Sequence, residues 1–258
     1  MTKKGSAALP LINEFARFVA EARPDLVLDL GDRISDQDHD HDLMLEREVA
    51  EAFRPISAPL YHLCGNHDVA FLSVAENAAM LGRSLTHETL DVAGWRLVFW
   101  RADSFVRRPG GFVLMESDLL WLSEVVRIAD RPLAIMSHVP VSGHAQTSNY
   151  YFERNPGLAT YPGAERARAV LRMARVPVLW LSGHVHWNTL TQVDGIPHLT
   201  LQSLTESFTT FPAPAAAWAL LQLDDVIDWQ VFGLDSFAVR LNARATARRW
   251  ITPLLPFS

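Results

Sequence analysis

The chain has 258 residues, of which 49% are hydrophobic and 20% are charged, a composition that supports a full hydrophobic core and argues against intrinsic disorder. Its formal net charge of -6 gives no electrostatic reason to bind a nucleic-acid polymer or an anionic membrane, although bound metal ions would still admit an anionic small substrate. The lone cysteine, Cys64, cannot form an intrachain disulfide, and no stretch reads as a signal peptide or a membrane span. We therefore expect a cytoplasmic protein with one domain over residues 1–258.

Apolar periodicity and turn residues divide the first two thirds of the chain into helices that alternate with short strands. The predicted helices cover residues 11–22, 43–53, 71–81, 117–126 and 164–174. The predicted strands cover residues 26–30, 59–63, 133–136 and 178–181, with a β-hairpin over 86–100. A long irregular loop over 139–162 interrupts the alternation, and loops of this length are commonly functional.

The last third of the chain, from about residue 187, is richer in strands. Strands are predicted over residues 189–193, 196–201, 216–223 and 226–232, and a basic helix over 240–250. An alternating part followed by a strand-rich part predicts two sheets that pack face to face with helices outside. The expected fold class is α/β, a four-layer α/β/β/α sandwich of two mixed sheets flanked by helices.

Several predicted strands are followed at once by a side chain that binds metal ions. These side chains are Asp32, Asn66, His138 and the pair His184 and His186. Ligands of open α/β sheets bind at the carboxyl ends of the strands, so we expect one site built from separate strand ends. Metal-assisted hydrolysis needs a bridging carboxylate and neutral ligands that leave the cation Lewis acidic, and this set offers both. The two residues of the His pair share a side of an extended segment.

The order of these residues resembles the motifs of calcineurin-like metallophosphoesterases over residues 26–186. The matching stretches are Gly31-Asp32, Gly65-Asn66-His67-Asp68, His138 and Gly183-His184-Val185-His186. Within the family, the branch with cyclic-nucleotide and glycerophosphodiester phosphodiesterases is the most similar. The resemblance implies the same four-layer sandwich, with a two-metal centre at the ends of the sheets.

The resemblance also assigns the metal ligands. It implies that Asp32 bridges two ions, that His186 holds one of them, and that the other is held by Asn66, His138 and His184. Mixed nitrogen and oxygen ligands suit Mn, Fe or Zn.

Other residues are candidates for catalysis or substrate binding. By the same resemblance, His67 stabilises charge on the substrate or protonates the leaving group, and Asp68 orients it. Arg33 follows Asp32 directly and either binds a phosphate oxygen or pairs with the neighbouring acidic loop. His144 lies on the long loop and either contacts a substrate phosphate or is simply exposed.

One motif of the family is missing. The family begins with a strand ending in Asp-x-His, which supplies two further ligands to the ion held by His186, and no such strand precedes Leu11. Either the chain lacks an N-terminal strand present in the natural gene product, or the site is reduced to one ion, or an Asp/His-rich loop supplies substitute ligands from Asp36, Asp38, His39 or His41. Truncation or reduction is favoured over substitution, because a flexible loop would have to replace a strand-anchored pair.

Together these features predict a metal-dependent phosphohydrolase, a phosphodiesterase or phosphatase. Metal-activated water would cleave a phosphodiester or phosphomonoester of a small molecule. The expected partners are one or two divalent metal ions and a small phosphorylated substrate, without a nucleic-acid polymer or a membrane, and a homo-oligomer is compatible with the sequence. The alternative is a phosphoesterase-fold binding or scaffold protein that has lost catalysis, which the missing motif favours and the intact His67-Asp68 pair opposes.

Overall fold

The computed structural model describes residues 8–252 and 254. The helices in this part of the chain are α1 (Ala8–Ala22), α2 (His39–Phe53), α3 (Val74–Leu81), α4 (Glu116–Arg127) and α5 (Ala164–Arg172), with short 3-10 helices at Pro156–Leu158 and Ala243–Ala247. The strands are β1 (Val27–Asp29), β2 (Leu60–His62), β3 (Glu88–Val92), β4 (Trp95–Phe99), β5 (Leu133–Ser137), β6 (Val178–Ser182), β7 (Thr189–Val193), β8 (Ile196–Thr200), β9 (Trp218–Leu223), β10 (Val226–Phe232) and β11 (Phe237–Asn242).

A mixed six-stranded sheet in the order β3-β4-β5-β6-β8-β7 forms one of the two central layers. Its four inner strands are parallel, and the edge strands β3 and β7 are antiparallel to their neighbours. The register of the two middle strands sets Ser137 opposite Ser182. Because β5 and β6 end at the same level, the residues that follow them emerge side by side at one edge of the sheet.

Two smaller sheets cover one face of the six-stranded sheet. β1 and β2 form a parallel pair with Asp29 opposite His62, and β9, β10 and β11 form an antiparallel sheet. Met136 of the larger sheet shares a core with Leu28 from the first small sheet and Trp229 from the second. The prediction of two layers of strands packed face to face is confirmed, with the second layer made of two separate sheets.

Helices form the two outer layers. α4 and α5 pack their apolar residues on the other face of the six-stranded sheet, against side chains such as Ile135 and Trp180. α1 packs on the β1–β2 pair through Val19 and reaches the second small sheet through Phe18, whose ring lies 5.8 Å from that of Trp218. The predicted α/β/β/α sandwich is therefore confirmed. No helix in the described part of the chain is both long and apolar enough to cross a membrane.

The predicted basic helix over 240–250 is wrong. β11 ends at Asn242 and only the short 3-10 helix follows it. The alternation of Phe237, Val239 and Leu241 decides the outcome, because these side chains pack into the core between the sheets while the strand pairs with β10. The arginines that suggested a helix lie outside that alternation.

The predicted helix over 43–53 starts four residues earlier, at His39. The side chain of Asp38 accepts a hydrogen bond from the backbone N–H of His41 at 2.9 Å and so caps α2. Part of the Asp/His-rich stretch is thus the first turn of a helix rather than a loop.

Candidate metal centre

Three polar side chains from different strand ends meet at the edge where β5 and β6 finish. Asp32 comes after β1, His138 directly follows β5, and His184 follows β6. One ligand atom of each residue lies within 4.8 Å of the ligand atoms of the other two. Both histidines are buried, so the group is shielded from bulk water. This is the convergence that the order of the motifs predicts.

Close contact between two glycine-containing turns fixes the position of Asp32. Gly31 has a φ of 92°, and a Cβ atom on it would lie 2.4 Å from the backbone nitrogen of Gly65. A Cβ atom on Gly65 would lie 2.1 Å from Oδ1 of Asp32. These distances are far shorter than atoms tolerate, so each turn needs glycine for the other to approach.

The carboxylate of Asp68 fastens the same two turns together. It is fully buried and accepts hydrogen bonds at 2.8 Å from the backbone N–H groups of Asp32, Arg33 and Gly65. The prediction that Asp68 orients His67 is therefore wrong. Its oxygens are directed at the backbone of the turns, and it positions the candidate metal ligand Asp32 instead.

His138 presents one ring nitrogen to oxygen ligands. Its Nδ1 lies 2.7 Å from the carbonyl oxygen of Leu30, while its Nε2 lies 3.3 Å from Oδ2 of Asp32 and 3.4 Å from Oδ1 of Asn66. The contact of Nδ1 with the carbonyl oxygen fixes the ring so that Nε2 faces these oxygens, and release of the Nε2 proton gives the form in which histidine binds metals. The structure thus brings Asn66 to the group as predicted.

The electrostatics at this point favour positive charge. Burial opposes ionisation of Asp32, yet the adjacent His138 holds the pKa of that carboxyl well below its usual range. Burial also acts to lower the pKa of His138, but the Asp32 carboxylate outweighs it and raises that pKa. A buried anion with a compensating cation is therefore the stable arrangement here.

His184 carries a buried ring nitrogen that has no partner. Its Nε2 lies 2.7 Å from the carbonyl oxygen of Leu158, whereas Nδ1 is buried without a hydrogen bond. Burial lowers the pKa of His184 to about 3, and the charge of His138 acts in the same direction, so the ring is neutral. A buried, unpaired lone pair on a neutral imidazole is expected of a metal ligand.

His186 interacts electrostatically with Asp32, His138 and His184, but it is not part of the group whose ligand atoms lie within 4.8 Å of one another. Burial lowers the pKa of His186 to about 4, although the carboxylates of Asp32 and Glu206 oppose that shift. Its Nδ1 is buried without a hydrogen bond, and its ring lies 4.9 Å from the ring of Phe208. Through this contact the ring of His186 packs on the segment after β8.

His67 projects beside Asp32 and is paired with Asp36, a residue considered above as a substitute metal ligand. Its Nδ1 is in contact with a carboxylate oxygen of Asp36, and its backbone N–H donates to Oδ1 of Asp32 at 2.9 Å. Its side chain is 45% exposed, so it faces the open side of the site. Asp36 is thus the partner of His67, a pairing that no sequence spacing signals.

The prediction that Arg33 binds substrate is wrong. Its side chain is only 1% exposed and forms ion pairs with Asp29 at 2.8 Å, Glu46 at 2.7 Å and Asp68 at 3.3 Å. Asp32 has a φ of 61°, a turn that sends the next side chain back beneath the site. Arg33 therefore supports the turns from below and does not reach a substrate.

The Asp/His-rich stretch does not replace the missing motif through the residues considered. Asp38 caps α2, and His39 binds Glu76 at 2.9 Å and Asp40 at 3.2 Å. Asp36 is taken up by His67, and His41 lies 3.6 Å from Asp42 at the start of α2. Asp36, Asp38 and His39 are held by other partners, whereas Nδ1 of His41 is buried without a hydrogen bond. None of the four joins the group of Asp32, His138 and His184, so the structure gives no support to the substitution hypothesis.

His144 stands on the long loop, on the side of the site where His186 lies. It is half-buried, and its ring lies 5.7 Å from that of Trp187, the residue after His186. Burial lowers the pKa of His144, so it is neutral at pH 7. The structure places it outside the group of metal ligands.

The fold and the strand-end ligands together define a metallophosphoesterase. The sequence profile of the calcineurin-like phosphoesterase family matches residues 7–188, and the chain belongs to that family. No curated protein matches the chain in sequence.

Solved structures share the architecture. A dimetal phosphatase from Danio rerio has a TM-score of 0.71 and 18% identity, with 91% of this chain and 89% of that chain covered. GAP50, the anchor in the inner membrane complex of Plasmodium, has a TM-score of 0.51 and 14% identity, with 92% of this chain and 84% of that chain covered. At these identities the likeness shows the fold.

Proposed function

We propose that the protein is a metal-dependent phosphoesterase that hydrolyses a small-molecule phosphodiester or phosphomonoester. The observation that carries the proposal is the convergence of Asp32, His138 and His184 around the unpaired Nδ1 of His184. Membership of the calcineurin-like phosphoesterase family supports it. The cytoplasm is the proposed compartment, in keeping with a lone cysteine.

The donor set suits Mn²⁺, Fe²⁺ or Zn²⁺. Asp32, Asn66, His138 and His184 would hold one ion, and His186 and Asp32 would help to hold a second. Such ions lower the pKa of a bound water and neutralise charge on the phosphoryl oxygens. The protein's own contribution is to fix these side chains through the paired turns and the carbonyl groups that orient both imidazoles.

His67 is the proposed catalytic acid. Burial acts to lower its pKa, but the carboxylates of Asp32 and Asp36 outweigh burial and raise it, which favours the protonated ring. With Nδ1 engaged by Asp36, Nε2 is the nitrogen that faces away from that carboxylate and donates to the leaving-group oxygen. Half-buried His144 is proposed to contact the substrate phosphate.

A panel of aryl phosphomonoesters and phosphodiesters with Mn²⁺ tests the proposal. The wild type is expected to hydrolyse at least one of them, and His138→Ala to lose both the hydrolysis and tightly bound Mn²⁺. His87→Ala is the control, because that ring lies against Trp121, 4.7 Å away, and outside the metal centre. Wild-type protein that binds no Mn²⁺ would contradict the proposal.

A binding or scaffold protein is the second candidate. It is supported by the lack of an Asp-x-His strand in the described part of the chain and by the fold shared with GAP50, the anchor in the inner membrane complex of Plasmodium. Mn²⁺ binding without hydrolysis of any ester in the panel would favour it over the enzyme.

A further inference from the structure

Aromatic rings form a series of contacts that runs from His186 to the protein surface. The ring of Phe208 lies 4.9 Å from that of His186, and the ring of Tyr150 lies 5.2 Å from that of Phe208 at an interplanar angle of 61°. Phe208 is half-buried, whereas Tyr150 is 65% exposed. Tyr150 and Phe208 thus form an aromatic corner that opens to solvent.

The long loop holds Tyr150 in place through the residue before it. Asn149 is buried, and its Nδ2 donates to the carbonyl oxygen of Val185, the residue between the two candidate histidine ligands, at 3.0 Å. Its Oδ1 accepts from the backbone N–H groups of Tyr151 at 3.1 Å and Phe152 at 3.0 Å. The backbone at Tyr150 is therefore tied to the turn that carries both histidines.

Phe208 comes from a different part of the chain and is anchored to the same turn. Its ring packs against the apolar cluster that contains Phe152 and Val185. The next residue, Thr209, donates from its hydroxyl to Oδ2 of Asp235 at 2.7 Å. Two separate segments therefore place their rings beside the histidine turn, and the aromatic corner is formed without a ligand.

The aromatic corner lies next to the candidate metal centre. His186 follows by two residues His184, which forms the group of candidate ligands with Asp32 and His138. An ester whose phosphoryl oxygens bind an ion at this group can extend its organic part towards Phe208. Aromatic rings pair in offset or edge-to-face contact at centroid distances of about 4.5–7 Å, and the exposed side of Tyr150 offers such contact to a further ring.

We propose that Tyr150 and Phe208 determine substrate specificity by binding a planar aromatic group of the phosphoester. The inference rests on the proposed function, since it concerns the organic part of the same substrate. A flat ring stacks on Tyr150 and directs an edge at Phe208. A saturated ring of the same size gains only apolar burial there, because it has no π system and is too thick to stack.

Two inert phosphonates test the inference without turnover. Benzylphosphonate and cyclohexylmethylphosphonate carry the same charged group and are similar in size, but only the first has a planar π system. Calorimetry with the Mn²⁺-loaded protein gives the ratio of their Kd values, in which the contribution of the phosphonate group cancels. Tyr150→Leu keeps an apolar side chain and removes the ring, so it should raise the ratio of the benzyl Kd to the cyclohexylmethyl Kd about two- to tenfold.

Three further variants sharpen this test. Tyr150→Phe retains the ring and should keep the wild-type ratio, whereas Phe208→Leu should raise it. Phe211→Ala is the matched control, because Phe211 is an aromatic residue of the same segment, is 84% exposed and lies outside the aromatic corner. It should keep the wild-type ratio. Matching unfolding temperatures in a metal chelator would show that all the variants fold.

Nuclear magnetic resonance of the Zn²⁺-loaded protein provides a second readout, because Zn²⁺ is diamagnetic. Stacking on Tyr150 should shift the ring protons of bound benzylphosphonate upfield in the wild type. The upfield shift should persist in Tyr150→Phe and shrink in Tyr150→Leu. An equal shift in wild type and Tyr150→Leu would place the benzyl ring elsewhere and overturn the inference.

The outcomes separate this inference from the proposed function. A wild type that binds neither Mn²⁺ nor a phosphonate overturns both. Equal Kd ratios in wild type and Tyr150→Leu, a raised ratio in Phe211→Ala as well, or hydrolysis of the ester panel without binding of either phosphonate overturns the aromatic corner and leaves the phosphoesterase standing. A ratio raised in Tyr150→Leu and not in Phe211→Ala, with hydrolysis absent in the wild type, supports the aromatic corner and contradicts the enzyme.

Discussion

His67 combines an exposed edge with a carboxylate partner, which suits a residue that delivers a proton. Its Nδ1 contacts Asp36, and the side chain is 45% exposed. The ring stands beside the proposed metal ligands without taking part in their hydrogen bonds to backbone carbonyls. Its replacement should therefore change chemistry more than it changes metal binding.

His67→Gln is expected to lower kcat by about 10²–10⁴-fold, the usual contribution of a general acid. Mn²⁺ content should stay at the wild-type level, because the ligands Asp32, His138 and His184 are retained. Steady-state kinetics on an aryl phosphodiester and metal analysis of the same sample measure the two quantities. Full activity in His67→Gln would remove His67 from the mechanism.

Asp36→Asn should shift the pH dependence of kcat. Asp36 and Asp32 together raise the pKa of His67 against the effect of burial, so removal of one charge lowers that pKa. Activity that requires protonated His67 falls as the pH rises through its pKa, and the fall should begin at a lower pH in Asp36→Asn. Equal alkaline limbs in the two pH profiles would mean that Asp36 does not act through His67.

The turns after β1 and β2 form one unit, because each is shaped to the other. Gly65 has no room for a side chain beside Asp32, and Asp68 binds the backbone of both turns. The proposed metal ligands Asp32 and Asn66 are thus positioned by contact between elements rather than by either strand alone.

Gly65→Ala is expected to destabilise the fold by about 1–3 kcal/mol through overpacking and to weaken Mn²⁺ binding by displacing Asp32. Gly110→Ala serves as the control, since a Cβ atom there meets its nearest neighbour, the carbonyl oxygen of Arg107, at an ordinary 3.7 Å. Urea unfolding without metal and Mn²⁺ calorimetry measure the two effects. If Gly65→Ala had the stability and the Mn²⁺ affinity of the wild type, the two turns would not need their close contact.

A buried cluster of charges beneath the metal centre makes the stability of the whole molecule depend on pH. Glu46 is fully buried beside Arg33, and its Oε2 has no hydrogen bond. Burial raises the pKa of Glu46 from 4.5 to about 7, with Arg33 opposing and Asp68 adding to the rise. The stabilising contribution of Glu46 is complete below pH 4.5. It is lost as the pH rises to about 7, where Glu46 ionises in the folded protein.

Glu46→Gln lacks this titration and still offers an oxygen to Arg33. Relative to the wild type, the variant should gain free energy of unfolding between pH 4.5 and 7, on the order of 1–3 kcal/mol. Glu48→Gln, at an exposed position of the same helix, should show no such gain. Denaturant unfolding at pH 5 and pH 8 gives the difference in free energy of unfolding between each variant and the wild type. A gain of Glu46→Gln confined to low pH would contradict the predicted direction.

The sequence predicted those features that depend on strand order and strand ends. Asp32, Asn66, His138 and His184 come together because parallel strands finish at one edge, which is a property of local pattern. Arg33 was misassigned because the left-handed turn at Asp32 reverses the direction of the next side chain, and no composition reveals that turn. The pairing of Asp36 with His67 depends on long-range packing of an irregular segment, for which the sequence carries no periodic signal.

Unequal anchoring of the proposed ligands has a consequence for the apo protein. In the described part of the chain, β1 has three residues and pairs on one side, whereas β5 and β6 each have five and pair on both sides. Backbone amides at residues 27–30 should therefore exchange with solvent faster than those of β5 and β6, and Mn²⁺ should slow them most. Hydrogen–deuterium exchange with and without Mn²⁺ would record this. The ion would then act as a cross-link that ties the loosest strand to the most rigid ones.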